Sequence, residues 1–156
     1  MARQPKKHYL GIDPGKNGGL AVISADGTPC QWTLMPQGVG RIVDWIAAAA
    51  RQYPRLVMVT EKAQAMPKQG IASAFRYGQH FGLFEATTAL LRTPYHEVSP
   101  AVWKKAMGLT SSKSLSSSVC RRIFPQVELV LPGCRKEHDG LAEALLVAEW
   151  GRRMQL

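Results

Sequence analysis

The stretch that most constrains this chain is LGIDPGKNGGLAVI, residues 10–23, where an apolar run ends on Asp13, Pro14-Gly15 turns the chain, and Gly18-Gly19 opens a second apolar run. Two apolar runs of strand length joined by a Gly-rich reversal predict an antiparallel hairpin, with strands at 8–13 and 19–24. Asp26-Gly27 marks a second reversal into a third strand at 29–35, PCQWTLM. A three-strand antiparallel meander follows. It leaves one question open: a carboxylate stands at the end of a strand that otherwise reads as buried. Asp before Pro is an ordinary turn former, and that reading competes with a chemical role for Asp13.

After the meander the pattern changes. Val39, Ile42, Val43, Ile46 and Ala50 recur at helical spacing over 39–51, and LVMVTE at 56–61 reads as a short apolar strand ended by Glu61. A loop around Met66-Pro67 precedes a long helix at about 70–91 and a strand near 94–98. A helix over Pro100–Met107, a Ser-rich turn and a helix ending at Phe124-Pro125 come next, and a last helix from about Lys136 to Arg153 carries basic residues at the end that suits its dipole. This order predicts an α/β fold: a five-stranded mixed sheet, made of the antiparallel meander plus two parallel strands, with helices on both faces in one domain spanning 1–156. TSSKSLSSS at 110–118 is the only compositionally biased segment.

Twenty Lys and Arg against eleven Asp and Glu give a net charge of +9, which points to a polyanionic partner. Two stretches hold no acid at all. Lys62, Lys68 and Arg76 fall in one, and Lys104, Lys105, Lys113, Arg121 and Arg122 in the other. Interleaved with Phe75, Tyr77, Phe81 and Trp103, they fit a phosphate-tracking groove, against the plainer reading of a generally basic surface. The apolar runs are too short and interrupted to span a bilayer, and MARQPKKH lacks the hydrophobic stretch of a signal peptide, so a soluble cytoplasmic protein with no membrane partner is expected. Cys30, Cys120 and Cys134 have no metal-ligand spacing and are expected to be reduced thiols, two of them buried or inert.

The remaining acids sharpen the question about Asp13. In an open α/β sheet, Asp13 and Glu61 end neighbouring strands at one shared edge. In HDGLAEALLVAEW, Asp139 and Glu143 stand four apart and share a helix face, while the apolar residues around Glu143 press that helix onto the sheet. Carboxylates gathered in a partly dry place are costly unless a cation neutralises them. Four carboxylates without a Cys/His cage select Mg²⁺ or Mn²⁺ over zinc, and two such ions can activate water and stabilise the leaving oxygen in phosphodiester cleavage. Each acid also has a plainer reading. Glu61 can cap a helix or pair with Lys62, and Asp139 can favour a helix N-terminus.

GIDPG at a strand end, VTEKAQ at a later strand end, FRYGQHFG on the long helix and HDGLAEALLVAEW at the end together resemble the RuvC-like Holliday junction resolvases of the RNase H superfold, over nearly the whole chain. The compact length and the AEALLVAEWGRR ending look more like phage-encoded members than the host enzyme. The resemblance implies a homodimer that binds four-way DNA junctions and nicks two strands symmetrically, using Mg²⁺ or Mn²⁺ held by four acidic or His ligands. Asp13 matches the first family acid, Glu61 the second and Glu143 the last. Where bacterial members place the third ligand, three residues before the last acid, this chain has Gly140; Asp139 is the substitute and His138 the alternative. The family lysine that faces the scissile phosphate matches Lys113, against the plainer reading of a solvated loop lysine. The family also inserts an aromatic into the junction centre from the loop after the second acid. KAQAMPKQG has none, and Met66 stands as wedge, core residue or dimer contact.

Two other readings compete. A broader nuclease for forks and flaps uses the same site, and a non-catalytic architectural protein would bind branched DNA with structural acids. A nucleotide-binding fold fits poorly, since GIDPGKNGG lacks the GK[ST] ending of a P-loop and the GxGxxG spacing. Trp103 and Trp150 are expected in the core, and Phe75, Gly78, Phe81 and Gly82 are expected to form one stripe of the long helix that helps build the dimer.

Overall fold

In the computed structural model, which describes residues 5–62, 70–109 and 114–156, the chain order is β1 (His8–Asp13), β2 (Gly19–Ser24), β3 (Pro29–Leu34), α1 (Val39–Gln52), β4 (Leu56–Glu61), α2 (Ile71–Leu91), β5 (Tyr95–Val98), α3 (Pro100–Ala106), α4 (Ser114–Ile123) and α5 (Asp139–Arg153). The sheet runs β3-β2-β1-β4-β5. β1 pairs antiparallel with β2 and parallel with β4, and β4 pairs parallel with β5. The predicted mixed five-stranded sheet is therefore observed, and the switch from meander to crossover falls where the sequence pattern changes.

Alternation along the strands sends side chains to two separate cores. Leu10, Ile12, Leu20, Val22 and Met58 pack against Ile42, Ile46 and Ala49 of α1 and Phe84 of α2. Tyr9, Ala21, Ile23, Val57 and Val59 face the other way, toward Trp103, Phe124 and the apolar length of α5. α5 lies unusually close to the sheet because Gly11 has no side chain. A Cβ there would sit inside van der Waals contact of the Ala144 carbonyl oxygen and 2.9 Å from the Ala148 methyl. The same close approach recurs one turn before α5 settles on the sheet, where Gly140 packs on the backbone of Asn17 and Gly18. Backbone thus rests on backbone at the carboxyl end of β1, and the start of α5 is fixed beside Asp13.

Three details depart from expectation. α5 begins at Asp139, not near Lys136, because His138 caps it: His138 Nδ1 accepts from the Leu141 N–H at 3.1 Å, while Glu137 is drawn into a bridge with Val130. Of the cysteines only Cys120 is buried. Cys30 lies on the sheet-edge strand β3, whose side chains alternate toward solvent, and Cys134 is exposed too. Trp103 is fully buried and Trp150 packs against the same core, as expected, but Phe81 does not share a stripe with Phe75. Six residues separate them, about 240° around a helix, so Phe75, Gly78 and Gly82 face solvent while Phe81 is half-buried. Among the described residues no helix is long and apolar enough to cross a membrane.

Candidate active site

The register of β1 on β4 pairs Ile12 with Thr60, so the next residues, Asp13 and Glu61, close two adjacent parallel strands at the same edge. From the helix side α5 brings Glu143 over that edge, with only 14% of its side chain exposed. Asp13 and Glu61 are half-buried, whereas Asp139 is exposed.

Protein groups hold these acids. Trp103 Nε1 donates to Glu61 Oε2 at 2.8 Å. Lys104 Nζ stands 3.1 Å from Glu143 Oε1, and Ser116 Oγ donates to the same oxygen at 3.1 Å. Ser117 Oγ donates to Asp139 Oδ1 at 3.3 Å. Trp103 serves twice, because the Lys104 ammonium also lies 5.1 Å from its ring centroid, within cation–π range.

Burial pushes the Glu61 carboxyl above the ordinary range, and the negative charge of Glu143 adds to it; the Trp103 hydrogen bond and the Lys104 charge oppose the shift. Tyr77 of α2 reports on the whole cluster. Its phenol is pushed well above its ordinary value, first by burial and then by the charges of Glu61, Asp13 and Glu143. Three carboxylates from β1, β4 and α5 therefore act on a single side chain.

Their chemistry suits a hard divalent cation: the donors are carboxylate oxygens, and one of them is held at the cost of a raised pKa that a cation would reverse. Their present geometry is a different matter. Among the described residues no three His, Cys, Asp or Glu side chains stand together as a ligating group. Lys104, the Trp103 indole and two serine hydroxyls occupy the positions beside the carboxylates instead, and Asp139 turns to Ser117. His138 Nδ1 is engaged by the α5 cap, where it accepts from the Leu141 N–H.

Of the residues predicted to contact DNA, Lys104 is in the site, and Lys62, Arg76 and Lys105 are exposed. Arg121 pairs with Glu137 at 2.9 Å. Met66, Lys68 and Lys113 lie outside the described residues. The sequence reading missed Trp103 as a polar partner, Tyr77 as a neighbour of the acids, and Ser116 with Ser117. The serines had a visible signal, the Ser-rich segment before Cys120, but their spacing against α5 exists only after folding.

No protein-family model and no curated protein matches the chain. Among solved structures, RuvC of Thermus thermophilus in complex with a Holliday junction substrate matches with a TM-score of 0.71 at 20% identity, covering 94% of this chain and 96% of that one. A second Thermus thermophilus RuvC structure gives 0.70 at 20% identity over 95% and 96%. The large terminase nuclease of the thermophilic phage G20c gives 0.53 at 13% identity over 94% and 82%. The likeness at these identities is one of fold, and the chain is a RuvC-type, RNase H-like α/β fold along nearly its full length.

Proposed function

We propose that this chain is a metal-dependent DNA endonuclease that acts on branched DNA, four-way junctions in particular. The observation that carries the reading is the convergence of Asp13, Glu61 and Glu143 from two adjacent strand ends and a crossing helix, on a chain of net charge +9. The RuvC neighbour bound to a Holliday junction supports the substrate class.

Asp13, Glu61 and Glu143 would hold Mg²⁺ or Mn²⁺, two ions in the full site, with Asp139 as the further ligand one helical turn before Glu143. Asp139 suits that role better than His138, whose Nδ1 already accepts from the Leu141 N–H at the start of α5. Bound there, the ions would supply an activated water and a stabilised leaving oxygen. The chain's own residues do the rest. Trp103 fixes the Glu61 carboxylate, Ser116 fixes that of Glu143, and Lys104 neutralises Glu143; with a cation held there instead, the Lys104 ammonium would be available to a phosphate oxygen. Lys113 would face the scissile phosphate, and Lys62, Lys68, Arg76, Lys105 and Arg121 would follow the DNA backbone, with Met66 at the junction centre. Paired symmetric nicks require two copies, and the exposed face of α2 with Ile71, Phe75, Gly78 and Gly82 is the surface we assign to the dimer.

A second reading, a nuclease for forks and flaps, draws on the terminase neighbour and on the absence of an aromatic from residues 62–70. The deciding experiment is cleavage of end-labelled four-way junctions, forks and linear duplex in Mg²⁺, Mn²⁺ and EDTA, with Asp13→Asn as control. Symmetric metal-dependent nicks confined to junctions, absent in the variant, establish the resolvase; equal cutting of forks establishes the broader nuclease. Tight binding without cutting by the wild-type chain leaves an architectural protein.

A further inference from the structure

Beside the carboxylates lies a cleft of about 520 Å³ that the nuclease chemistry does not use. Its walls are the turn after β1 (Gly15, Lys16), the segment between β3 and α1 (with Gln37), and the first half of α2 (Arg76, Tyr77, His80). The volume falls within the range of about 300–1,000 Å³ usual for small-ligand sites, so it is roomy enough for one nucleotide.

The lining has a consistent chemistry. It holds two cations and no acid, and among the described residues neither Lys16 nor Arg76 has a carboxylate partner. Two rings, Tyr77 and His80, stand on the same face of α2. The His80 ring is half-buried, and its Nδ1 is shut from solvent with no hydrogen-bond partner. Burial also keeps it below the ordinary histidine range, so the ring is neutral and offers one donor and one acceptor. Among the described residues no group hydrogen-bonds that Nδ1, and the ring that carries it lines the cleft. Gly15 joins the cleft to the active site. It adopts φ +113°, a backbone conformation that L side chains rarely take, and its Cα packs toward the Tyr77 ring, where a Cβ would make ordinary contact at 3.9 Å.

We infer that this cleft is a nucleotide subsite that takes one unit of the DNA strand next to the scissile phosphate, its phosphate on Lys16 and Arg76 and its base against Tyr77 with an edge hydrogen-bonded to His80. Cations alone would hold any stretch of backbone; a cleft with rings and an unclaimed imidazole edge can also discriminate between bases. The exposed apolar stripe of α2 lies on the opposite side of the helix, so the subsite and a second copy can be accommodated together. The choice of DNA as the source of the nucleotide rests on the nuclease reading above.

Because metal is not needed for this contact, it can be tested in EDTA. Histidine side-chain NMR of the full chain, with His80 assigned by His80→Gln, is followed while tetranucleotides of deoxyadenylate, deoxycytidylate and thymidylate, an abasic tetranucleotide of equal charge, and the free deoxynucleoside monophosphates are added. At least one base-bearing tetranucleotide should shift the His80 signals and bind several-fold more tightly than the abasic one. Lys16→Gln and Arg76→Gln, both at exposed positions, should each weaken it about five-fold or more. Equal binding of the abasic strand, or an unmoved His80 signal, overturns the proposal. A monophosphate that binds as tightly as the tetranucleotides overturns the assignment to a DNA strand in favour of free nucleotides. Junction cleavage by the same preparation reports separately: shifts without cutting retain the subsite and sink the nuclease, and cutting without shifts does the reverse.

Discussion

The indole N–H of Trp103 points at the carboxylate of Glu61, 2.8 Å away, from a ring that is otherwise fully buried. A core tryptophan thereby becomes the clamp of a site carboxylate that burial pushes above its ordinary range. In Trp103→Phe the apolar ring stays and the donor goes, leaving a buried carboxylate oxygen with one partner fewer. Loss of about 1–3 kcal/mol of stability in urea unfolding is expected. The Glu61 pKa should rise further, which moves the acid limb of the cleavage pH profile to higher pH.

Glu61→Gln gives the complementary result. Because the folded Glu61 has its pKa raised, its ionisation costs stability, and that cost develops as pH rises from the unfolded value, near 4.5, through the folded one. The glutamine carbonyl still accepts from Trp103 but never ionises. Metal-free Glu61→Gln should therefore melt above the wild type at pH 7 and level with it at pH 4, where both side chains are neutral. Each kcal/mol relieved corresponds to about 2–4 °C in a chain of this size. Cleavage should fall by about a hundred-fold or more. Thermal scans at the two pH values check the first statement and a junction assay the second.

Lys104 competes with any cation for Glu143. Lys104→Gln should bind Ca²⁺ several-fold more tightly by calorimetry, since the intramolecular ammonium no longer has to be displaced, yet cut junctions about ten-fold more slowly once that ammonium is missing from the phosphate. Binding and turnover moving in opposite directions distinguishes this from a folding defect.

Away from the site, Glu149 of α5 is buried and holds Arg152 and Arg153, each at 2.7 Å. Burial alone would raise its pKa, but the two guanidiniums outweigh it and the net shift is downward. The stabilisation is fully present above about pH 4.5 and is lost as pH falls through the folded value. Glu149→Gln should cost about 1–3 kcal/mol at pH 7, the arginines being partly exposed, and the deficit should shrink toward pH 3 in acid titrations followed by circular dichroism.

Gly11→Ala tests the seating of α5. The added methyl meets main-chain atoms of Ala144 and Ala148, which have no rotamer to yield, so the helix must lift from β1. A loss of about 3 kcal/mol or more is expected in urea unfolding. Divalent-ion binding should weaken as well, because Glu143 retreats from Asp13 and Glu61.

The sequence by itself determined the architecture and the acids that end its strands. GIDPGKNGG forces a hairpin, LVMVTE follows a helix and must return parallel, and a right-handed crossover then leaves Asp13 and Glu61 side by side at one edge. Each of these consequences follows from short-range turn chemistry and periodicity, which local sequence carries. The tertiary structure alone decided the partners: Trp103 on Glu61, Lys104 and Ser116 on Glu143, Ser117 on Asp139, and the cleft between Lys16 and His80. Those contacts join residues tens of positions apart, and their distances depend on how deeply α5 sinks onto Gly11 and how α2 is rotated against the sheet. Local periodicity tells which face of a helix is apolar, but only the packed core sets the height and angle at which that helix stops.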